Sequence, residues 1–175
     1  MGSSLQYILD ANVFIEAYKR YYAFDLCPGF WRSIKHYGAQ CVLASIDRVR
    51  DELQEGQSLE DWKSQAPEPL FLPTDTAEIV AAYGEVIKWA QNQARFNGGA
   101  RTEFAQGVDA WLIACAKANS LTMVTHEQSA PKSQKRVKIP DVCKAFGIPC
   151  KNTFEMLRAL EVSYTWQTRS AQSSV

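Results

Sequence analysis

A parallel α/β fold is what this sequence predicts, and three features carry the expectation. Short apolar runs alternate with stretches whose apolar residues recur at helical spacing. The run Tyr7, Ile8, Leu9 ends on a carboxylate, Asp10, and passes directly into a helical pattern of Val13, Phe14 and Ala17. A helical stretch, a tight turn and the apolar strand Leu-Thr-Met-Val-Thr then follow one another over about 102–125, as in the return half of a right-handed parallel crossover. In such sheets ligands bind beyond the carboxyl ends of the strands, so Asp10 falls where α/β proteins keep their chemistry. Asp10 or Asn12 could equally serve as a helix cap.

Taken in order, the first strand leads into a helix over about 12–22, and Cys27-Pro28-Gly29 breaks the chain before a second helix over 29–36 carrying Phe30, Trp31 and Ile34. Gly38 is expected to end it. A buried strand over 39–44 follows, and Ser45 is placed to cap a helix with the apolar stripe Ile46, Val49 and Leu53, closed by Gly56. A short helix over 58–65 precedes Pro67 to Pro73, which proline keeps extended, with an edge strand at 70–72. Thr74 or Asp75 caps a long helix to about 96, and Asn-Gly-Gly-Ala-Arg-Thr breaks it. The next helix, over 102–119, carries Phe104, Val108, Trp111, Leu112 and Cys115 on its apolar face. After the strand over 121–125 come a polar basic loop (129–138), a helix to about 146, a short strand around Ile148 and a last helix over 153–160.

Length and composition bound the partners. With 175 residues and 46% hydrophobic content, the chain suits one domain over 5–161 and a frayed or disordered tail over 162–175. Nineteen basic and nineteen acidic residues cancel, so nucleic acid would be held by a local patch or through a metal. The five cysteines show no CxxC spacing, and Cys41, Cys115 and Cys143 sit inside apolar patterns, which suits reduced core thiols and a cytoplasmic setting. The apolar runs fall short of a membrane span.

The acids at strand ends or among apolar residues carry the functional signal. Asp10 ends the first strand, and Glu127 lies two residues past the strand that ends at Thr125. Asp109 is flanked at helical spacing by Ala105, Leu112, Ile113 and Ala116, a costly setting for an unpartnered carboxylate. Asp47, Asp51, Glu52 and Glu55 all follow the second strand. Periodicity does not choose among them, although Glu52, beside Leu53, can reach round the helix. Carboxylates gathered from separate positions repel unless a cation lies between them or some stay protonated. An all-oxygen set without Cys selects Mg²⁺ or Mn²⁺, an ion suited to phosphoryl chemistry.

Tyr-Ile-Leu-Asp-Ala-Asn at the start, Ser-Ile-Asp-Arg-Val-Arg-Asp-Glu-Leu in the first third, and the block from Val108 through Glu127 together resemble the three acidic blocks of the PIN domain, the nuclease fold of VapC-type toxins. The resemblance spans 5–160. Lys-Ile-Pro-Asp-Val-Cys, the long helix after Thr74 and a Glu at the fourth acid, where the family more often has Asp, resemble a less characterised branch. The resemblance implies a three-layer α/β/α sandwich around a parallel sheet of four or five strands. It implies Asp10, Glu52, Asp109 and Glu127 as catalytic metal-binding acids, with Asn12 and Thr125 as accessory polar residues. It also implies metal-dependent endoribonuclease activity on single-stranded or structured RNA, homodimerisation and a protein antitoxin. Lys132, Lys135, Arg136 and Lys138 could hold RNA phosphates, or could line a solvated loop. A catalytically weak PIN scaffold is the alternative. A phosphatase that needs a second Asp two residues after the first meets Asn12 instead. The exposed aromatics Tyr21, Tyr22 and Phe24 are a candidate dimer patch, or pack under the next helix.

Overall fold

The structure, a computed structural model, describes residues 4–54 and 56–165. Glu55 and positions 166–175 of the expected tail lie outside the described residues. Five strands form one parallel sheet in the order β3-β2-β1-β4-β5: β1 (Tyr7–Leu9), β2 (Leu43–Ile46), β3 (Phe71–Leu72), β4 (Thr122–Val124) and β5 (Cys150–Lys151). Helices α1 (Ala11–Glu16), α2 (Pro28–Ala39), α3 (Asp47–Glu52), α4 (Gln57–Ser64), α5 (Ala77–Asn92), α6 (Gly98–Gln106), α7 (Val108–Ala118), α8 (Ile139–Phe146) and α9 (Thr153–Ala159) connect and cover it. The α/β/α sandwich expected from the sequence is the fold observed.

The central strands are apolar throughout because both faces are covered, as parallel sheets require. Ile8, Leu9, Leu43, Ala44, Met123 and Val124 are fully buried. At roughly 25 cal/mol per Å² of apolar surface, each large side chain among them stabilises the fold by about 1.5–3 kcal/mol. Among the described residues no helix is long and apolar enough to cross a membrane.

Several boundaries differ from expectation for identifiable reasons. The first helix is α-helical only to Glu16, and Ala17–Tyr21 forms a π-helical turn. α2 runs through Gly38 because the missing side chain leaves room for Leu70, whose Cδ1 would lie 2.9 Å from an added Cβ. Cys41, at φ 55°, then turns the chain, so β2 starts at Leu43 and Cys41 is exposed rather than a core thiol. Ser45 lies within β2 and donates to the Leu9 carbonyl instead of capping α3. Gly56, at φ 86°, opens α4. Thr76 caps α5, leaving Thr74 buried and paired with Asp47.

The expected helix over 102–119 is two helices, divided at Gly107, whose backbone is extended. Asn97 caps α6 through Ala100 N–H, so the Asn-Gly-Gly sequence starts a helix rather than merely ending one. At the C-terminal side, Val162 N–H closes on the Leu157 carbonyl, and the Tyr164 ring meets Tyr22 edge-on with its hydroxyl 2.9 Å from Ser33 Oγ.

Candidate active site

The sheet order turns about β1, with β2 and β3 to one side and β4 and β5 to the other. At such a point the connections leave the carboxyl ends in opposite directions and open a crevice between neighbouring strands. β1 and β4 are those neighbours, in register from Tyr7 opposite Thr122 to Leu9 opposite Val124. Asp10 follows one strand and Thr125 to Glu127 follow the other.

Asp10 occupies the N-cap position of α1, yet its side chain makes no capping bond there. Its Oδ2 instead accepts the Thr125 hydroxyl at 2.7 Å. That hydroxyl oxygen also accepts from Asn12 Nδ2 at 3.1 Å and from Glu127 N–H at 3.0 Å, while Asn12 Oδ1 accepts His126 N–H at 3.1 Å. Both accessory polar residues therefore hold the ends of β1 and β4 together and fix the orientation of Asp10. Asp10 is buried, and its pKa is raised to about 7 by burial, against the lowering effect of the Thr125 bond, with the charges of Asp109 and Glu127 adding to the rise.

Asp109 enters from α7. The break at Gly107 places it in the first turn of that helix, where unpaired backbone N–H groups and the helix dipole favour a carboxylate. Burial still dominates and, with Glu127 and Glu52 adding, raises its pKa to about 6, while Lys138 and Arg136 pull it down. Glu52 is the last residue of α3, and burial raises its pKa too. The four predicted acids thus belong to one electrostatic cluster, and Glu52, Asp109 and Glu127 line one cleft of about 190 Å³ with Arg136 and Glu103.

Glu127 differs from the others in being tied on both oxygens. Lys138 Nζ donates to Oε1 at 2.7 Å and Ile139 N–H donates to Oε2 at 2.9 Å, so this side chain caps α8. Arg136 lines the cleft and pairs Glu103 at 3.4 Å; Lys132 and Lys135 are exposed on the same loop and line neither cleft beside the acids. Ser129 and Ala130 N–H both bind Asp141, which anchors the start of that loop to α8.

Glu103 was not marked by the sequence, because its approach depends on the bend at Gly107. His126 and Tyr21 were likewise not assigned to the site, although they line a second cleft that shares Glu127 with the first. Tyr22 and Phe24 pack inward, stacked on Phe30 and Trp31, and only Tyr21 of the expected aromatic patch is exposed. Among the described residues, no three His, Cys, Asp or Glu side chains converge closely enough to ligate one ion as they stand. The donors nonetheless suit a hard cation in kind: they are carboxylates, and burial first, with the charges of neighbouring acids adding, raises Asp10 to about 7 and Asp109 to about 6.

A family model described as a domain of unknown function (DUF4411) matches residues 7–164. None of the curated proteins matches the chain. Among solved structures, a chain from the crystal structure of VapBC2 from Rickettsia felis bound to a DNA fragment from their promoter is similar, with a TM-score of 0.52 and 16% identity over 85% of this chain and 98% of that one. At this identity the similarity shows a shared fold, the PIN-like sandwich.

Proposed function

The chain belongs to the family described as a domain of unknown function (DUF4411), and from the site it builds we propose a metal-dependent endoribonuclease that hydrolyses RNA phosphodiesters. The observation that carries this reading is the meeting of Asp10, Asp109, Glu52 and Glu127 at the β1/β4 crevice, where burial and mutual repulsion raise the two aspartates. Such a cluster is costly on its own, and a divalent cation removes the cost. Asp10 and Asp109 would be the main holders of Mg²⁺ or Mn²⁺, with Glu52 beside them. When bound, the ion supplies Lewis acidity towards a phosphoryl oxygen and ionises water near neutral pH.

The chain's own residues prepare the rest. Thr125 donates to Asp10 Oδ2 and holds that carboxylate in place at the end of β1. Lys138, held by Glu127 beside Asp109, and Arg136 on the cleft wall present cations to a phosphate. Asn12 has its amide committed to Thr125 and His126, so it offers no proton relay for a phosphatase.

Incubation with end-labelled RNA tests the reading. Cleavage should require Mg²⁺ or Mn²⁺, stop in EDTA and leave 5′-phosphate and 3′-hydroxyl ends. A 2′,3′-cyclic phosphate formed in EDTA would contradict it. The similarity to the VapBC2 structure, beside the resemblance of the acidic blocks to VapC-type toxins, supports a toxin role restrained by a protein antitoxin; that resemblance also supports a homodimer, and the cysteine pattern a cytoplasmic setting. A non-catalytic RNA- or protein-binding scaffold is favoured by one observation: Glu127 already spends its oxygens on Lys138 and α8. RNA bound with no cleavage in either metal would decide for it.

A further inference from the structure

Beside the carboxylates, three rings from three separate elements meet at the surface. Tyr21 ends the π-helical turn, in which Tyr22 N–H reaches back five residues to the Ala17 carbonyl at 2.7 Å. Such turns carry an extra residue and recur at functional sites. Here the extra residue separates the fates of two adjacent tyrosines. Tyr22 turns inward, stacked on Phe30 at 4.3 Å, while Tyr21 turns outward and is 51% exposed. The Tyr21 ring faces His126 at 28° and meets Phe154 edge-on, and Phe154 is itself 41% exposed.

The Tyr21 and His126 centroids lie 6.1 Å apart, well beyond the closed stacks of the neighbouring core at 4.1 and 4.3 Å. The Tyr21 face is therefore not closed off by its neighbour. His126 is fixed in place by Thr153 Oγ1 at its Nε2 and by Asn12 at its backbone N–H. A cleft of about 440 Å³ lined by Tyr21 and His126, with Phe154 just outside its lining, is rimmed by Gln128 and by Arg20, which pairs Glu16 at 3.2 Å, and it shares Glu127 with the acidic cleft. Asn12, on its wall, also belongs to the hydrogen-bond network of Asp10.

We propose that Tyr21, His126 and Phe154 form a stacking shelf for one unpaired base of an RNA strand whose phosphate lies at the carboxylates. The inference rests on the ribonuclease reading and names its substrate class as single-stranded. An aromatic face takes any base, the polar rim can meet a base edge or a ribose hydroxyl, and Glu127, common to both clefts, makes the shelf continuous with the acids along one strand. A duplex keeps its bases stacked inside and cannot use the shelf.

The test measures binding of a fluorescent octaribonucleotide by anisotropy in an Asp109→Asn background with Mg²⁺, and cleavage in the otherwise unaltered chain. Tyr21→Ala should weaken single-strand binding about tenfold, Phe154→Ala less, and Tyr21→Trp should restore it. Abasic substitution scanned along the strand should cause the same loss at one position, and that loss should vanish in Tyr21→Ala. Duplex binding should not respond to Tyr21→Ala. Since Tyr21 is exposed, its melting temperature should stay at the parent value, and Tyr21→Trp checks the site without relying on truncation. If Tyr21→Ala binds and cuts as the parent does, or if its effect adds to abasic substitution at every position, the shelf is overturned while the ribonuclease reading stands. If the parent neither binds nor cuts RNA, both fall.

Discussion

The Thr125 hydroxyl serves three groups at once, donating to Asp10 and accepting from Asn12 and the Glu127 backbone. Thr125→Val keeps the shape and removes all three bonds, leaving a buried carboxyl without its donor. Unfolding in urea should show a loss of about 1–3 kcal/mol. Because that bond lowers the Asp10 pKa, its removal should also move the rising limb of the pH–activity curve to higher pH. The acids themselves give the chain an unusual pH response. In the folded chain Asp10 and Asp109 keep their protons to about 7 and about 6, whereas unfolded aspartates lose them near 3.8. Unfolding between those values releases protons, so metal-free stability should fall as pH rises from about 4 through 7. Melting curves in EDTA across that range check the sign, and Asp10→Asn should flatten the slope. A melting temperature that climbs with pH over the same window would contradict the raised carboxyls.

Among the elements, the glycines at 38 and 107 decide more than periodicity does. A Cβ at Gly38 would press on Leu70 atoms at 2.9 and 3.2 Å, and Leu70 is fully buried beside the edge strand. Gly38→Ala should therefore cost about 1–3 kcal/mol by overpacking, read from the urea midpoint, even though alanine favours helix. The same substitution would be stabilising if the space over Gly38 within α2 were open. This position shows why part of the fold was illegible: a Gly that ends a helix and a Gly that admits a neighbour look alike until Leu70 is in place. Gly107 hid in the same way, because Phe104, Val108, Trp111 and Leu112 keep helical spacing across a break that costs no residue. β1 and β4 were legible because fully buried strands read as unbroken apolar runs, and with them came Asp10 and Glu127 as members of one edge, whereas Asp109 stood out as a carboxylate within an apolar helical pattern. The Lys138 and α8 contacts of Glu127 were not, since a residue eleven positions away leaves no periodic trace.

For the molecule as a whole, the reversal of sheet order at β1 makes a crevice, and the acids fill it. The π-turn, the segment after β4 and α9 then build an aromatic wall on one side, while α6, α7 and the basic loop build a charged wall on the other. Homodimerisation, expected from the resemblance, is checked by light scattering, where a monomer at high concentration would remove it. In the proposed nuclease, Asp10 and Asp109 are the main holders of a divalent ion, with Glu52 beside them. Thermal unfolding of the parent, Asp10→Asn and Asp109→Asn under Mg²⁺ or Mn²⁺ titration at pH 7.5 tests it most directly. Both variants should be folded and at least as stable as the metal-free parent, because a like-charge conflict is relieved. Metal should stabilise the parent by about 2.7 kcal/mol at a hundredfold excess over its dissociation constant, and much less in either variant. Equal shifts in all three proteins, or none in the parent, would contradict a shared metal site.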